Sequence, residues 1–368
     1  MGGGQNVVLN FLTDLFKGDY SIKYNIHFFI IENSEVQKFL DERDYKNYTF
    51  VPNSPIIRIL WELSYGTCFV KRLNPDIIYT YFGYGFYPRR IPQISGSADS
   101  NLFFPEVFFW DGYKGLRLFA KNMIDKYRVF ALKRVAGIIF ETELLEQKCN
   151  ELYKVKALTT TIRPSIKVYK RVQANKTKMF EDINSPLGLF LCGWQLNKNI
   201  MLIPKIAKIL KNMGIKFHFI ITAPLEYSPI HTQFNDRVNK YSVEEMITIT
   251  GPVNKRELES LYTSVSVVFL LSKLESFSNN IIEAWRFHRP LICSDISWAR
   301  SICQDAAYYV DRESAESIAF GIKKLLFDDN HYKKIVESGI EMLNVYPSIA
   351  QRTKEEFLFL ETVLNSNA

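Results

Sequence analysis

Short apolar runs alternate with helix-period stretches along the whole chain. In the first half, residues 26–31, 48–51, 76–79, 91–94, 137–140 and 158–162 read as strands. Helical spacing of apolar positions marks 7–16, 56–72 and 114–135. The second half is cleaner: strands over 189–192, 217–221, 247–249, 267–271, 291–293 and 307–310, with helices over 199–211, 255–262, 280–287 and 314–326. Two more helices, 331–343 and 349–364, flank Pro347. Strand–helix alternation calls for parallel sheets with crossover connections, so each half reads as an α/β, doubly wound domain. The expected division is 1–180, 187–345 and a C-terminal helix, 346–368, packing back on the first domain. The boundary falls in the polar, basic stretch 167–186.

One irregularity stands at the start. A doubly wound domain opens on a strand that feeds a glycine-rich turn, yet here Gly2, Gly3 and Gly4 come before any strand. The first strand of that domain is therefore expected to be missing.

At 368 residues, with 47% hydrophobic and 23% charged positions, the chain has material for two cores and is not disordered. No run approaches the ~18 uncharged apolar residues of a membrane span. The net charge of +7 suits an anionic partner or a membrane surface. Five scattered cysteines form no CxxC pair, and the first residues carry no apolar signal region, so the expected location is the cytoplasm. Residues 114–134 hold Lys114, Arg117, Lys121, Lys126, Arg128, Lys133 and Arg134 among apolar positions. Such a helix either lies on an anionic membrane or is a domain helix with a solvated face, the more common case.

The chemistry concentrates in LESFSNNIIEA, residues 274–284. It follows a buried strand and opens a helix, which puts it at the carboxyl edge of a parallel sheet, where such folds bind ligands. Ser276 or Ser278 can cap the helix, and free amides near Ser278, Asn279 and Asn280 would attract an anion. Glu283 could accept both hydroxyls of a ribose, and Glu275 those of a second hydroxylated group. Equally, Glu283 could complement the helix dipole while Glu275 is solvated.

Glu275 and Glu283 resemble the Glu-x7-Glu motif of the family-4 retaining glycosyltransferases. The resemblance continues through WRFHRPLICSD at 285–295 and ICQDAAYYVD at 302–311. It takes in Gly193 with Lys198 and Asn199, and Gly251-Pro252-Val253. It extends loosely into the first half through Gly2–Gly4, PDII at 75–78 and SADSNL at 97–102, the last similar to surface-polysaccharide members.

The resemblance implies the GT-B fold, two Rossmann-like domains facing across a cleft, and transfer of a sugar with retention. The donor would be a nucleotide sugar, UDP- or GDP-linked, used as substrate with no cofactor and no metal. Glu283 would bind the ribose and Glu275 the transferred sugar. Lys198 and the amides around Ser276, Phe277, Ser278, Asn279 and Asn280 would hold the diphosphate. Gly193, Gly3 and Gly4 would approach the phosphates, and Val253 the base. The acceptor would be a hydroxyl; the net charge of +7 and the basic helix motivate the expectation that it belongs to a lipid-linked surface glycan met at the inner face of the plasma membrane. No nucleic acid is expected as partner.

The chain departs from the family pattern twice. Trp194 stands where an arginine is usual, and no histidine lies in 97–101. Asp99 is the nearest polar candidate near the reacting sugar, or else a turn residue beside Ser100. The rival readings are an inactive GT-B partner of another transferase and a phosphate-using phosphorylase.

Overall fold

The computed structural model describes residues 3–367 apart from 84, 86, 87, 89, 167–179, 181 and 227. Most of the boundary stretch 167–186, and Gly2, lie outside the described residues. The chain divides into two compact units, Met1–Lys167 with Tyr346–Ala368, and Val168–Val345.

In the first unit the strands are β1 (Phe28–Ile31), β2 (Tyr48–Val51), β3 (Ile78–Thr80), β4 (Gln93–Ser97), β5 (Gly137–Phe140) and β6 (Leu158–Thr161). They form two parallel sheets, β1-β2 and β3-β4-β5-β6. Both sheets share the same covering layers. Phe28 and Tyr79 pack against Phe11 and Leu15 of the Gly3–Lys17 helix, and Phe29 packs with Ile78 on the other face. Among the described residues no strand joins β1 to β3. The C-terminal helix Ile349–Asn367 packs here, with Phe357 stacked on Tyr20 at 4.3 Å between ring centres.

Three sequence expectations shift for identifiable reasons. β1 starts at Phe28, not Ile26, because the Ile26 carbonyl accepts from Asn47 Nδ2 at 2.6 Å instead of from a strand. β4 runs two residues late and ends at Ser97; Ser95 is buried by donating to the Gly83 carbonyl at 2.5 Å. The helix expected over 56–72 begins as Pro55–Trp61 and ends as Thr67–Leu73, with one π turn, Glu62–Gly66, between. Gly66 sits against the Trp61 ring, where a Cβ would stand 2.5 Å away.

The second unit holds β7 (Leu187–Phe190), β8 (His218–Ile221), β9 (Ile247–Ile249), β10 (Val267–Leu270), β11 (Leu291–Ser294) and β12 (Tyr308–Val310), in one parallel sheet of order β12-β11-β10-β7-β8-β9. All four residues of β7, β8, β10 and β11 are buried, as expected when helices cover both faces. Phe190 stacks on Phe269 at 4.5 Å, and at Gly188 a Cβ would come within 2.6 Å of Phe217 and Phe269. Only glycine lets these rings close over the two central strands.

Candidate functional site

From β7 the chain crosses to β8 on one side, and from β10 to β11 on the other. β7 and β10 are neighbours, so the crevice beyond their carboxyl ends is the topological switch point, the place where an open parallel sheet receives a ligand. Two loops bound it, the one following Phe190 and the one following Leu270.

The loops are tied together by side chains. Asn197 Nδ2 donates to the Leu274 carbonyl at 3.0 Å, and its Oδ1 accepts from the Leu274 amide at 3.2 Å. The Asn197 carbonyl accepts from the Lys273 amide at 2.8 Å. Asn199, in the left-handed conformation at φ 60°, bonds through its side chain to the Arg312 carbonyl. Arg312, 9% exposed, donates through Nε to the Leu271 carbonyl at 3.1 Å. Held in this way, Lys198 at the end of a 3-10 turn reaches Glu275 and forms an ion pair.

Glu275 lies just before the helix Asn279–Arg286, whose N-cap is Ser278. The Ser278 hydroxyl makes no capping bond; the Ile281 amide donates to the Ser278 carbonyl at 3.0 Å, and the Asn279 and Asn280 amides keep the orphan character of a helix start. Asn280 turns inward and donates to the Leu191 carbonyl at 3.1 Å. Glu283, one turn along, accepts from the Tyr262 hydroxyl at 2.9 Å. Tyr262 is fully buried; burial first, then the Glu283 charge beside it, pushes its phenol well above the usual range, so it stays a donor. Trp285 anchors the helix by donating to the Ala306 carbonyl at 2.9 Å. Gly339 makes room for that ring, since a Cβ there would meet it at 2.4 Å.

The structure thus brings Lys198, Glu275, Ser278, Asn280 and Glu283 to the two loops at one sheet edge. Gly193 opens the first loop, with nothing within 4 Å of where a Cβ would be. Val253 lies beyond β9, at the sheet's far side, following Gly251 at φ 79°. Trp194 does not take an arginine's place: its ring stacks on His231 at 4.6 Å and donates to the Pro224 carbonyl at 2.7 Å. Gly3 and Gly4 belong to the first unit and form the opening turn of a helix instead of a loop before it. Asp99, also in the first unit, stands 3.3 Å from Arg128; burial raises its pKa, with Arg128 opposing.

Sequence reasoning noted Asn199 only beside Lys198, with no tie to Arg312, and missed Asn197, Tyr262 and Arg312. The polar triplet Asn197-Lys198-Asn199 in the loop after β7 was the available signal for Asn197. Nothing local marks Tyr262 or Arg312, which act across 21 and 41 residues of sequence.

Residues 174–342 match the family model for glycosyl transferases group 1. That region spans nearly all of the second unit, including both loops. No curated protein matched the sequence. Solved structures resemble the chain at low identity. Anabaena Alr3699/HepE in complex with UDP-glucose is 13% identical with a TM-score of 0.72, over 98% of this chain and 96% of that one. A glycosyltransferase from Rickettsia africae is 17% identical with a TM-score of 0.69, over 98% and 94%. Sucrose-phosphate synthase from Thermosynechococcus elongatus is 13% identical with a TM-score of 0.69, over 88% and 84%. The chain has the two-domain, Rossmann-like GT-B fold.

Proposed function

We propose that this protein is a glycosyltransferase that moves a sugar from a nucleoside diphosphate donor to a hydroxyl acceptor, with retention. The observation that carries this is the Lys198–Glu275 pair at the switch point, with Glu283 held by Tyr262 one helical turn away. A diphosphate leaving group needs fixed positive charge, which Lys198 and the orphan amides of the Asn279–Arg286 helix supply. Glu275 would then accept hydroxyls of the transferred sugar, and Glu283 those of the ribose. The HepE structures hold UDP and UDP-glucose, which supports a uridine donor as the first to test. We take the acceptor to be a growing surface glycan carried on lipid, and the working place the cytoplasmic face of a membrane.

Thermal unfolding with UDP, GDP, CDP and inorganic phosphate, beside Glu283→Ala, tests the donor site. A ligand at 100 times its Kd stabilises the native state by about 2.7 kcal/mol. The expected result is a shift with one nucleoside diphosphate, lost in Glu283→Ala. A folded protein that responds to none of them sinks the transferase reading and leaves a non-catalytic GT-B partner. A response to phosphate alone points to a phosphorylase.

A further inference from the structure

The Gly115–Leu132 helix turns a stripe of large apolar side chains, as well as basic ones, toward solvent. Leu116 is 87% exposed, Phe119 64%, Met123 47% and Phe130 51%. Their spacing of three, four and seven residues places them on one face. Tyr127 continues that stripe and donates to Glu62 Oε2 at 3.3 Å, in the π turn of the neighbouring helical segment. That second segment exposes its own apolar face: Ile56, Ile57, Leu60, Leu63 and Tyr65 are all about half exposed or more. The Tyr127–Glu62 bond thus joins two exposed apolar stripes in the first unit. A patch of this kind on a protein surface marks a docking site.

The charges choose the occupant. The helix Gly115–Leu132 has one acid, Asp125, which is taken by Asn101 at 2.9 Å, Trp110 at 2.6 Å and Arg128 at 3.3 Å. Between Pro55 and Leu73 the one acid is Glu62, 6% exposed and also 3.6 Å from Arg58. Every exposed charge on the two segments is therefore basic. Arg117 and Lys126 border the longer stripe, and Lys133 and Arg134 stand at its end. A hollow of about 520 Å³ opens beside the stripe, with Phe119, Met123, Lys126 and the partnered Asp125 in its wall. Apolar side chains rimmed by cations, with no exposed acid within either segment, match the boundary between acyl chains and anionic headgroups.

We propose that these two segments form a surface that docks on an anionic lipid bilayer. This deepens the membrane-side reading given above and is independent of the nucleotide site. Co-sedimentation with vesicles of phosphatidylcholine and phosphatidylglycerol, and with phosphatidylcholine alone, tests it. The protein is expected to pellet with the anionic vesicles, with affinity falling as salt rises. Leu60→Ser with Phe119→Ser should lower the partition coefficient roughly tenfold or more. Lys126→Glu with Lys133→Glu should also weaken binding and flatten its salt dependence. The nucleotide-induced thermal shift should survive in both variants, which also confirms that they fold. No pelleting of the intact protein with anionic vesicles overturns the proposal, as does equal pelleting of the Leu60/Phe119 variant. A dimer in solution that the same substitutions dissolve, without lipid binding, overturns it in favour of a second copy.

Discussion

Lys198 and Glu275, 77 residues apart in sequence, pair across the crevice between the two central strands, with side chains only 20% and 15% exposed. The lysine is occupied by a carboxylate. On the proposed function a bound diphosphate would displace it, and the two charges would play opposite parts: Lys198 would attract the nucleoside diphosphate, and Glu275 would compete for the lysine and repel the phosphates. Glu275→Gln should bind UDP, or whichever diphosphate the protein takes, at least as tightly as the parent, while sugar transfer falls about 100-fold or more. Lys198→Met should weaken both. Calorimetric titration beside a transfer assay checks this, and a Glu275→Gln protein that loses nucleotide binding refutes the division of roles.

The Tyr262 hydroxyl reaches Glu283 at 2.9 Å from a fully buried ring, 7° from parallel with Phe287 and 5.3 Å away. Tyr262→Phe keeps that stacking and removes the donor that fixes the carboxylate. The expected stability loss is about 1 kcal/mol. Nucleotide affinity should fall several-fold, and deoxyribose and ribose nucleotides should become harder to tell apart. An unchanged preference for the ribose form would separate Tyr262 from the site.

Much of this was legible in the sequence. β2, β5 and β9 begin and end where the apolar runs do, although of the three only β5 is buried at every position. The loop carrying Glu275 and the helix carrying Glu283 were readable because they follow a strand, β10, whose four residues are all apolar and buried. What was hidden is long-range. Arg312 reaches the carbonyl at the end of β10 across the sheet edge, and Ser95 and Ser97 are strand residues only because β3 and β5 cover them. The outward face of the helix 115–132 was not legible, because sequence spacing gives the stripe but not which side the domain covers.

His218 opens β8, 8% exposed, with Nε2 2.8 Å from the Thr248 hydroxyl. Burial lowers its pKa from the ordinary 6.5. Below pH 6.5 the unfolded chain takes up a proton that the folded one refuses, so this group costs stability as pH falls from 6.5 toward its lowered value, and nothing above. The slope it contributes is at most about 1.4 kcal/mol per pH unit. Urea unfolding of the second unit at pH 5, 6, 7 and 8 should show that decline, reduced in His218→Gln. A variant with the same pH slope as the parent would assign the decline to other groups.

Arg352 and Glu356 lie one turn apart on the C-terminal helix, 5% and 0% exposed, with Nε 2.9 Å from Oε1. Tyr81, on the segment after β3, adds a bond to the same oxygen at 3.1 Å. Arg352 Nη1 and Glu356 Oε2 are buried without a hydrogen-bond partner, so the pair is incompletely satisfied. Burial raises the Glu356 pKa, with the arginine's charge opposing. Two desolvated ions with two orphan atoms contribute little net stability, but removing one leaves the other uncompensated. Arg352→Ala should cost about 3–5 kcal/mol, whereas Arg352→Met with Glu356→Leu should come close to the parent or exceed it. Because the chain has two units, amide exchange over Ile349–Asn367 is the measurement, since it reports opening of the first unit alone. A double variant as unprotected as Arg352→Ala would mean that the pair, orphan atoms included, holds this helix against the first unit.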